Sequence, residues 1–304
     1  MARLKDAAKY EILYDLPKGD YGDREVGAIR TKTIRSGDTL EIEAFPLIRI
    51  GAGARAERER RKSTPAQQRL NLANARKRVT RLIETNFGKD DYAVHFTFDY
   101  GAYDFGHENK DDYIARMMRS GLPLTEAEVR KEIKNYFRRL KREIRKCGGD
   151  EKELKYLYVI ESGKEPQPDD PNPVPVKYHI HAVISAPGVA RETVERIWQK
   201  GYVNADRLNT KMNGLQALSR YITKSNKFSR RWAHSRNLKE PEITVSDRKI
   251  SRRRAALIAM DVMQFGKEIF EKLYPGYRLQ EEPVVKFSDF VPGAYIYARM
   301  RRRR

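Results

Sequence analysis

The pair His179-Ile180-His181 lies within Tyr178-His179-Ile180-His181-Ala182-Val183-Ile184, a run rich in strand-forming residues. Side chains alternate across a strand, so both imidazoles project from one face while Ile180 and Ala182 take the other. Two neutral imidazoles on one face can share a divalent cation. The competing reading is a pair of half-buried strand histidines. The preceding strand-like run, Leu157-Tyr158-Val159-Ile160-Glu161, offers a carboxylate. If the two runs pair as a long-looped hairpin, Glu161 faces the histidines as an oxygen ligand, and coordination positions stay open for substrate; otherwise Glu161 is a surface carboxylate at a strand end. Mg²⁺ or Mn²⁺ suits such a donor set, because its task would be to polarise a phosphate oxygen. Downstream, Tyr221 and Lys224 stand three apart, neighbours on a helix face. A phenol with a pKa of about 10 is a poor nucleophile at neutral pH, and a polarised phosphate with a nearby cation compensates. Lys224 could also stabilise the charge developing on the phosphorane. A Tyr-x-x-Lys spacing is weak on its own; joined to the paired histidines it points to attack on a phosphodiester.

Other elements must hold these groups in place. Tyr92 to Phe98 reads as a strand, and residues of about 124–147 read as a helix opening at Thr125, with Glu128 three positions on, and closing at Gly148-Gly149. The strands around 157–161 and 177–185 follow, separated by a proline-rich loop from Glu165 to Pro175. A helix from about Arg191 to Lys200, a short strand at Tyr202-Val203 and a helix from about Met212 to Lys227 complete the set. This β-α-β-β-α-β order predicts an α+β fold, an antiparallel sheet of ferredoxin-like type with helices packed on one face. The spacing divides the chain into an N-terminal extension (1–90), a core (91–228) and a C-terminal helical extension with a basic tail (229–304).

In the first segment, Thr39 to Phe45 is β-prone, and a capping box at Thr64 and Gln67, with Pro65 at the first position, starts a helix that runs to about Asn86. Arg76, Arg78 and Arg81 make this helix basic, able to lie against phosphates or to form a solvated face. Lys227 is a further candidate phosphate contact. In the last segment a helix-like stretch covers about 247–273, and the terminal arginines, Arg299 and Arg301 to Arg304, read either as a solvated tail or as a phosphate-binding one.

Composition agrees with a polyanion partner. The 304 residues carry 62 Lys+Arg against 42 Asp+Glu, a formal charge of +20, and nucleic acid is the first partner such an excess suggests. A mean hydropathy of −0.77 and the lack of a long apolar run argue against a membrane partner. The start of the chain does not read as a signal peptide, and the single Cys147 cannot form an internal disulfide, so a reducing cytoplasm is expected.

The histidine strand, the downstream Tyr221-Ile222-Thr223-Lys224 and the upstream Val94-His95-Phe96-Thr97-Phe98 resemble the three ordered motifs of HUH endonucleases. Within that superfamily the chain looks like the single-tyrosine rolling-circle replication initiators of small plasmids and phages, including the filamentous-phage gene-II-like replication-associated proteins. Ser235 to Pro241 and Gly293 to Met300 are similar to phage and mobile-element members of that group. The resemblance implies metal-assisted attack of Tyr221 on single-stranded origin DNA, leaving a 5′-phosphotyrosine and a free 3′-OH primer. Glu161 matches the acidic ligand loosely, because the proline-rich loop separates it from the histidines. Ser225 stands where a second tyrosine would be, which points to the one-tyrosine subclass. No Gly-x-x-x-x-Gly-Lys-Ser/Thr loop is present, so a host helicase, together with a DNA polymerase, is the implied partner.

Three other readings compete. A mobilisation relaxase or single-tyrosine transposase would share the chemistry, although relaxases usually place the tyrosine before the histidines. A two-histidine phosphoesterase fits His95-Phe96-Thr97-Phe98, yet His181 occupies the Thr position of the second copy. A non-enzymatic single-stranded nucleic-acid-binding protein would use strand aromatics such as Phe96 and Phe98, and leaves His179, His181 and Tyr221 without a purpose.

Overall fold

The computed structural model describes residues 25–49, 65–98, 125–162, 178–208, 232–288 and 291–303. In chain order its elements begin with β1 (Glu25–Ser36), β2 (Thr39–Arg49), α1 (Pro65–Asn86), β3 (Tyr92–Thr97) and α2 (Glu126–Lys146). Then come β4 (Lys155–Ser162), β5 (Tyr178–Ser185), α3 (Arg191–Arg196), β6 (Val203–Arg207), β7 (Ala233–His234) and β8 (Glu242–Ser246). The chain continues with α4 (Arg252–Met260), a π-helical turn (Val262–Gly266), α5 (Lys267–Leu273), β9 (Tyr277–Leu279), β10 (Val284–Ser288) and β11 (Val291–Arg302). The fold is α+β with antiparallel sheets, and no helix among the described residues is long and apolar enough to cross a membrane. The chain separates into two compact units, residues 65–239 and residues 1–64 with 240–304.

The unit 65–239 is built on a five-stranded sheet in the order β6-β3-β5-β4-β7, with every pairing antiparallel. Taking β3, β4, β5 and β6 as first to fourth, the order is 4-1-3-2, the split β-α-β arrangement expected from the element order. α2 forms because its apolar residues recur at helical spacing: Val129, Ile133, Tyr136, Phe137, Leu140 and Ile144 are all buried. The Thr125 and Glu128 capping box starts it, with both reciprocal hydrogen bonds formed. It stops at Gly148, whose φ of +79° is left-handed, while the Gly149 amide donates to the Ile144 carbonyl. The α2 stripe, α3 and Trp198 pack on Tyr92, Val94 and Phe96 of β3, Tyr158 and Ile160 of β4, and Ile180, Ala182 and Ile184 of β5.

The opposite sheet face carries helix α1. Val79, Leu82 and Ile83, with Phe87 just beyond, pack against Leu157, Val159, Val183 and Leu208. Helices therefore cover both faces, where the sequence pattern predicted one, and the basic helix read as part of an N-terminal extension belongs to the sheet that bears the histidines. A polar clip closes this unit: Asn237 donates to the Lys152 and Leu154 carbonyls, Ser235 Oγ accepts from the Tyr156 amide, and Lys239 N donates to Asn86 Oδ1. The segment Ser235 to Pro241, singled out for its similarity to mobile-element proteins, thus includes the residues of this clip.

In the other unit, β1 and β2 pair as a hairpin and join strands from the far end of the chain in the order β10-β11-β2-β1-β8, with β9 on β11. Ile29, Leu40, Ile42, Ile296, Ala298 and Met300 face α4 and α5 in a common core. The C-terminal stretch is consequently not helical alone, and the terminal arginines are not a loose tail: Arg299, Arg301 and Arg302 lie in β11, opposite Glu41, Thr39 and Tyr277. Alternation explains the difference. Ala294, Ile296, Ala298 and Met300 are buried at every second position, a strand period that continues into the charged run. The helix-like stretch around 247–273 resolves into α4, the π-helical turn and α5, with Ser251 and Asp261 as caps.

Candidate functional site

Register fixes the candidate site. On the α1 face of the 65–239 sheet, cross-strand pairing produces three rows of side chains. The first, Ala93, Val183 and Leu157, is apolar and lies in the packing under α1. The second runs Asn204, His95, His181 and Val159. The third is Thr97, His179 and Glu161. The face turns from apolar to polar within two rows, roughly 14 Å of strand, and the polar end gathers three of the chain's five histidines.

β5 is central, so His179 and His181 sit between flanking strands that each bring one more ionisable group. From β4, Glu161 Oε2 lies 3.2 Å from His181 Nε2. Its pairing with the histidines follows from the hairpin of β4 and β5, which places Glu161 directly beside His179 and diagonal to His181. From β3, the His95 ring stacks on His181, with centroids 4.5 Å apart and planes within 3°, and lies 5.4 Å from the His179 ring. The His181 side chain is only 8% exposed, so its bond to Glu161 is little screened by water. Burial, and secondarily the neighbouring His179, hold the His95 pKa below the usual histidine value, which keeps its lone pair free at neutral pH.

The donor set of three imidazoles and one carboxylate is chemically suited to a divalent cation. The donors are not yet aimed at one point: among the described residues no group of three His, Cys, Asp or Glu side chains is gathered as a cation site. Ring geometry gives the reason. Imidazole lone pairs lie in the ring plane, and the parallel planes of His95 and His181 do not intersect, so both can meet one ion only if a ring turns. His181 Nε2 is also engaged by Glu161. His179, His181 and Glu161, the sequence candidates, are brought together; His95 is the member that sequence reasoning read only as part of a strand motif. The signal was available, since Tyr92, Val94 and Phe96 alternate with it and put His95 on the opposite face, but its partner strand was not.

Tyr221, Lys224 and Lys227 lie outside the described residues, as does the expected helix from Met212 to Lys227. Arg76 and Arg78 are exposed on α1 and Arg81 is half-buried. The Arg78 guanidinium stands 5.8 Å from the Trp232 ring. Because α1 packs on the histidine face, its basic residues and the histidines belong to one side of the sheet. Thr97, the residue that supported a His-x-Thr reading, gives its hydroxyl to the Tyr202 carbonyl at 3.1 Å.

Residues 120–226 match the profile of a replication-associated protein family, that of ORF2 and the gene II protein. The matched region contains Glu161, His179, His181 and Tyr221 and excludes His95. The match supports a role in the initiation of DNA replication. Comparison with curated proteins and with solved structures gives no match.

Proposed function

We propose that this chain is a rolling-circle replication initiator that nicks one strand of DNA with Tyr221 as nucleophile. One observation carries the reading: Glu161, His179 and His181 meet on neighbouring strands of one sheet, inside the region that is similar to replication-associated proteins. A divalent cation such as Mg²⁺ or Mn²⁺, held by His179, His181 and Glu161 with His95 beside them, would supply polarisation of the scissile phosphate.

The chain's own residues supply the rest. The Tyr221 phenolic oxygen bonds to phosphorus as the bond from phosphorus to the 3′ oxygen breaks. The phenol loses its proton and the 3′ oxygen leaves as a hydroxyl able to prime synthesis, while the phosphate stays on Tyr221 as a 5′-phosphotyrosine. Lys224, three residues along, opposes the charge that builds on the phosphoryl oxygens. Arg76 and Arg78, on the helix that covers the same sheet face, bind backbone phosphates and position the strand. Lys227 adds a phosphate contact beyond the nucleophile. Single-stranded origin DNA is then the substrate, and duplex opening and synthesis fall to a host helicase and polymerase.

The test is incubation with labelled single-stranded DNA carrying the origin, with and without Mn²⁺, followed by denaturing electrophoresis. A covalent adduct is expected with wild type and not with Tyr221→Phe; an adduct that persists in Tyr221→Phe removes the nucleophile assignment. The double variant His179→Ala, His181→Ala should bind DNA yet leave it uncut, and normal cutting by it would move the metal site elsewhere.

A further inference from the structure

Tyr202 is among the most exposed large side chains described, at 67%. A single exposed aromatic is ordinary; its mounting is what distinguishes this one. Tyr202 immediately precedes β6, and its carbonyl accepts the Thr97 amide at 2.9 Å and the Thr97 hydroxyl at 3.1 Å. It therefore continues the β3 and β6 ladder by one residue beyond the Phe96 and Val203 pair. Val203 and Ala205 point into the α2 core, so alternation puts Tyr202 on the histidine face, extending the row of Thr97, His179 and Glu161.

The turn that presents it is fixed from below. Trp198 is fully buried and its indole N–H donates to the Thr97 carbonyl at 2.9 Å. Arg139 of α2 donates to the Ile197 and Trp198 carbonyls. Gln199 adopts a φ of +58°, a left-handed conformation rare outside glycine, and Gly201 has a φ of +143°. A strained, clamped turn thus holds an aromatic ring out in solvent, two strand spacings from His179, or about 10 Å. That is the separation of a neighbouring nucleotide and not of the reacting phosphate.

The geometry points to Tyr202 as a base-stacking platform for single-stranded DNA, a positioning residue that fixes the strand over the histidine face. The inference rests on the reading of that face as the nuclease site. Stacking suits the location because every base offers a π-face, so an aromatic at the site's margin grips the strand whatever its sequence. Phosphate contacts from the basic helix would set the strand's path, and the ring would set its register.

The test uses the full chain in EDTA, so that binding is read without cutting. Anisotropy is measured with labelled oligothymidylate and with a wholly abasic oligonucleotide of equal length, for wild type, Tyr202→Ala and Tyr202→Trp. Tyr202→Ala should bind oligothymidylate about tenfold more weakly with an unchanged salt slope, since no phosphate contact is lost. Tyr202→Trp should retain binding, and the three proteins should bind the abasic strand alike. Unchanged oligothymidylate binding by Tyr202→Ala overturns the inference, as expected if the ring serves a protein partner instead. An equal loss on the abasic strand also overturns it, because the effect would then be structural or electrostatic. The Tyr221 adduct assay is independent: stacking can hold where no adduct forms, and an adduct can form where Tyr202 is dispensable.

Discussion

Replacing Trp198 with phenylalanine should destabilise the unit that carries the histidines by about 2–4 kcal/mol. The indole is fully buried among Phe96, Phe98 and Tyr136, with ring centroids at 4.9, 5.1 and 5.9 Å. Its N–H donates to the Thr97 carbonyl at 2.9 Å, and leaving a buried acceptor without that donor costs roughly 1–3 kcal/mol. Shrinking the ring in a close-packed site adds about 1–2 kcal/mol for lost contacts and residual void. Thr97 shares its row with His179 and Glu161, so the loss should be felt at the site as well as in the core. Hydrogen exchange at the β3 and β5 amides is the suitable assay, because two compact units need not unfold together and a whole-chain melting curve would mix them. Protection in β3 and β5 should fall by the stated free energy while that in β1 and β2 is unchanged. A fall of less than about 0.5 kcal/mol, well below the cost of an unsatisfied buried acceptor, would refute the argument that this hydrogen bond ties the core to the site.

Four smaller outcomes follow from the same reasoning. Thr125→Ala removes the oxygen that accepts the Glu128 amide and the hydroxyl that donates to its carboxylate, and should cost about 1 kcal/mol of α2 stability, read by exchange at its first turn. Gly148→Ala forces a β-carbon into a φ of +79° and should cost about 1–2 kcal/mol by the same assay. The Arg30 guanidinium, bound to Asp247 through two contacts of 2.8 Å, holds that carboxyl below its usual range. Its folded pKa is depressed, so the stabilisation is present above the unfolded carboxylate pKa and is lost as pH falls through the folded one; in Asp247→Asn the acid sensitivity of β1 and β8 should shrink, and an unchanged pH profile would exclude the pair as its source. Calorimetric titration with Mn²⁺ should show binding that is abolished in the His179→Ala, His181→Ala variant, and equal binding by both proteins would place the cation elsewhere.

Local rules made much of this protein legible from its sequence. Alternation put His179 and His181 on one face, the capping box and the Gly148-Gly149 stop bounded α2, and the order of periods gave the split β-α-β sheet. These features depend on residues a few positions apart, whose sterics and hydrogen bonds act whatever the rest of the chain does. Register between distant strands was decided only in three dimensions. His95 meets His181 across a long stretch of intervening chain, and the β2 strand beginning at Thr39 pairs with a β11 strand that ends in arginines. Such contacts are selected by which faces a whole core can bury, a sum over many side chains that no local window contains. The third imidazole, the aromatic at the edge of the site and the fate of the arginine run were therefore settled by tertiary structure, because each depends on which strand lies beside which.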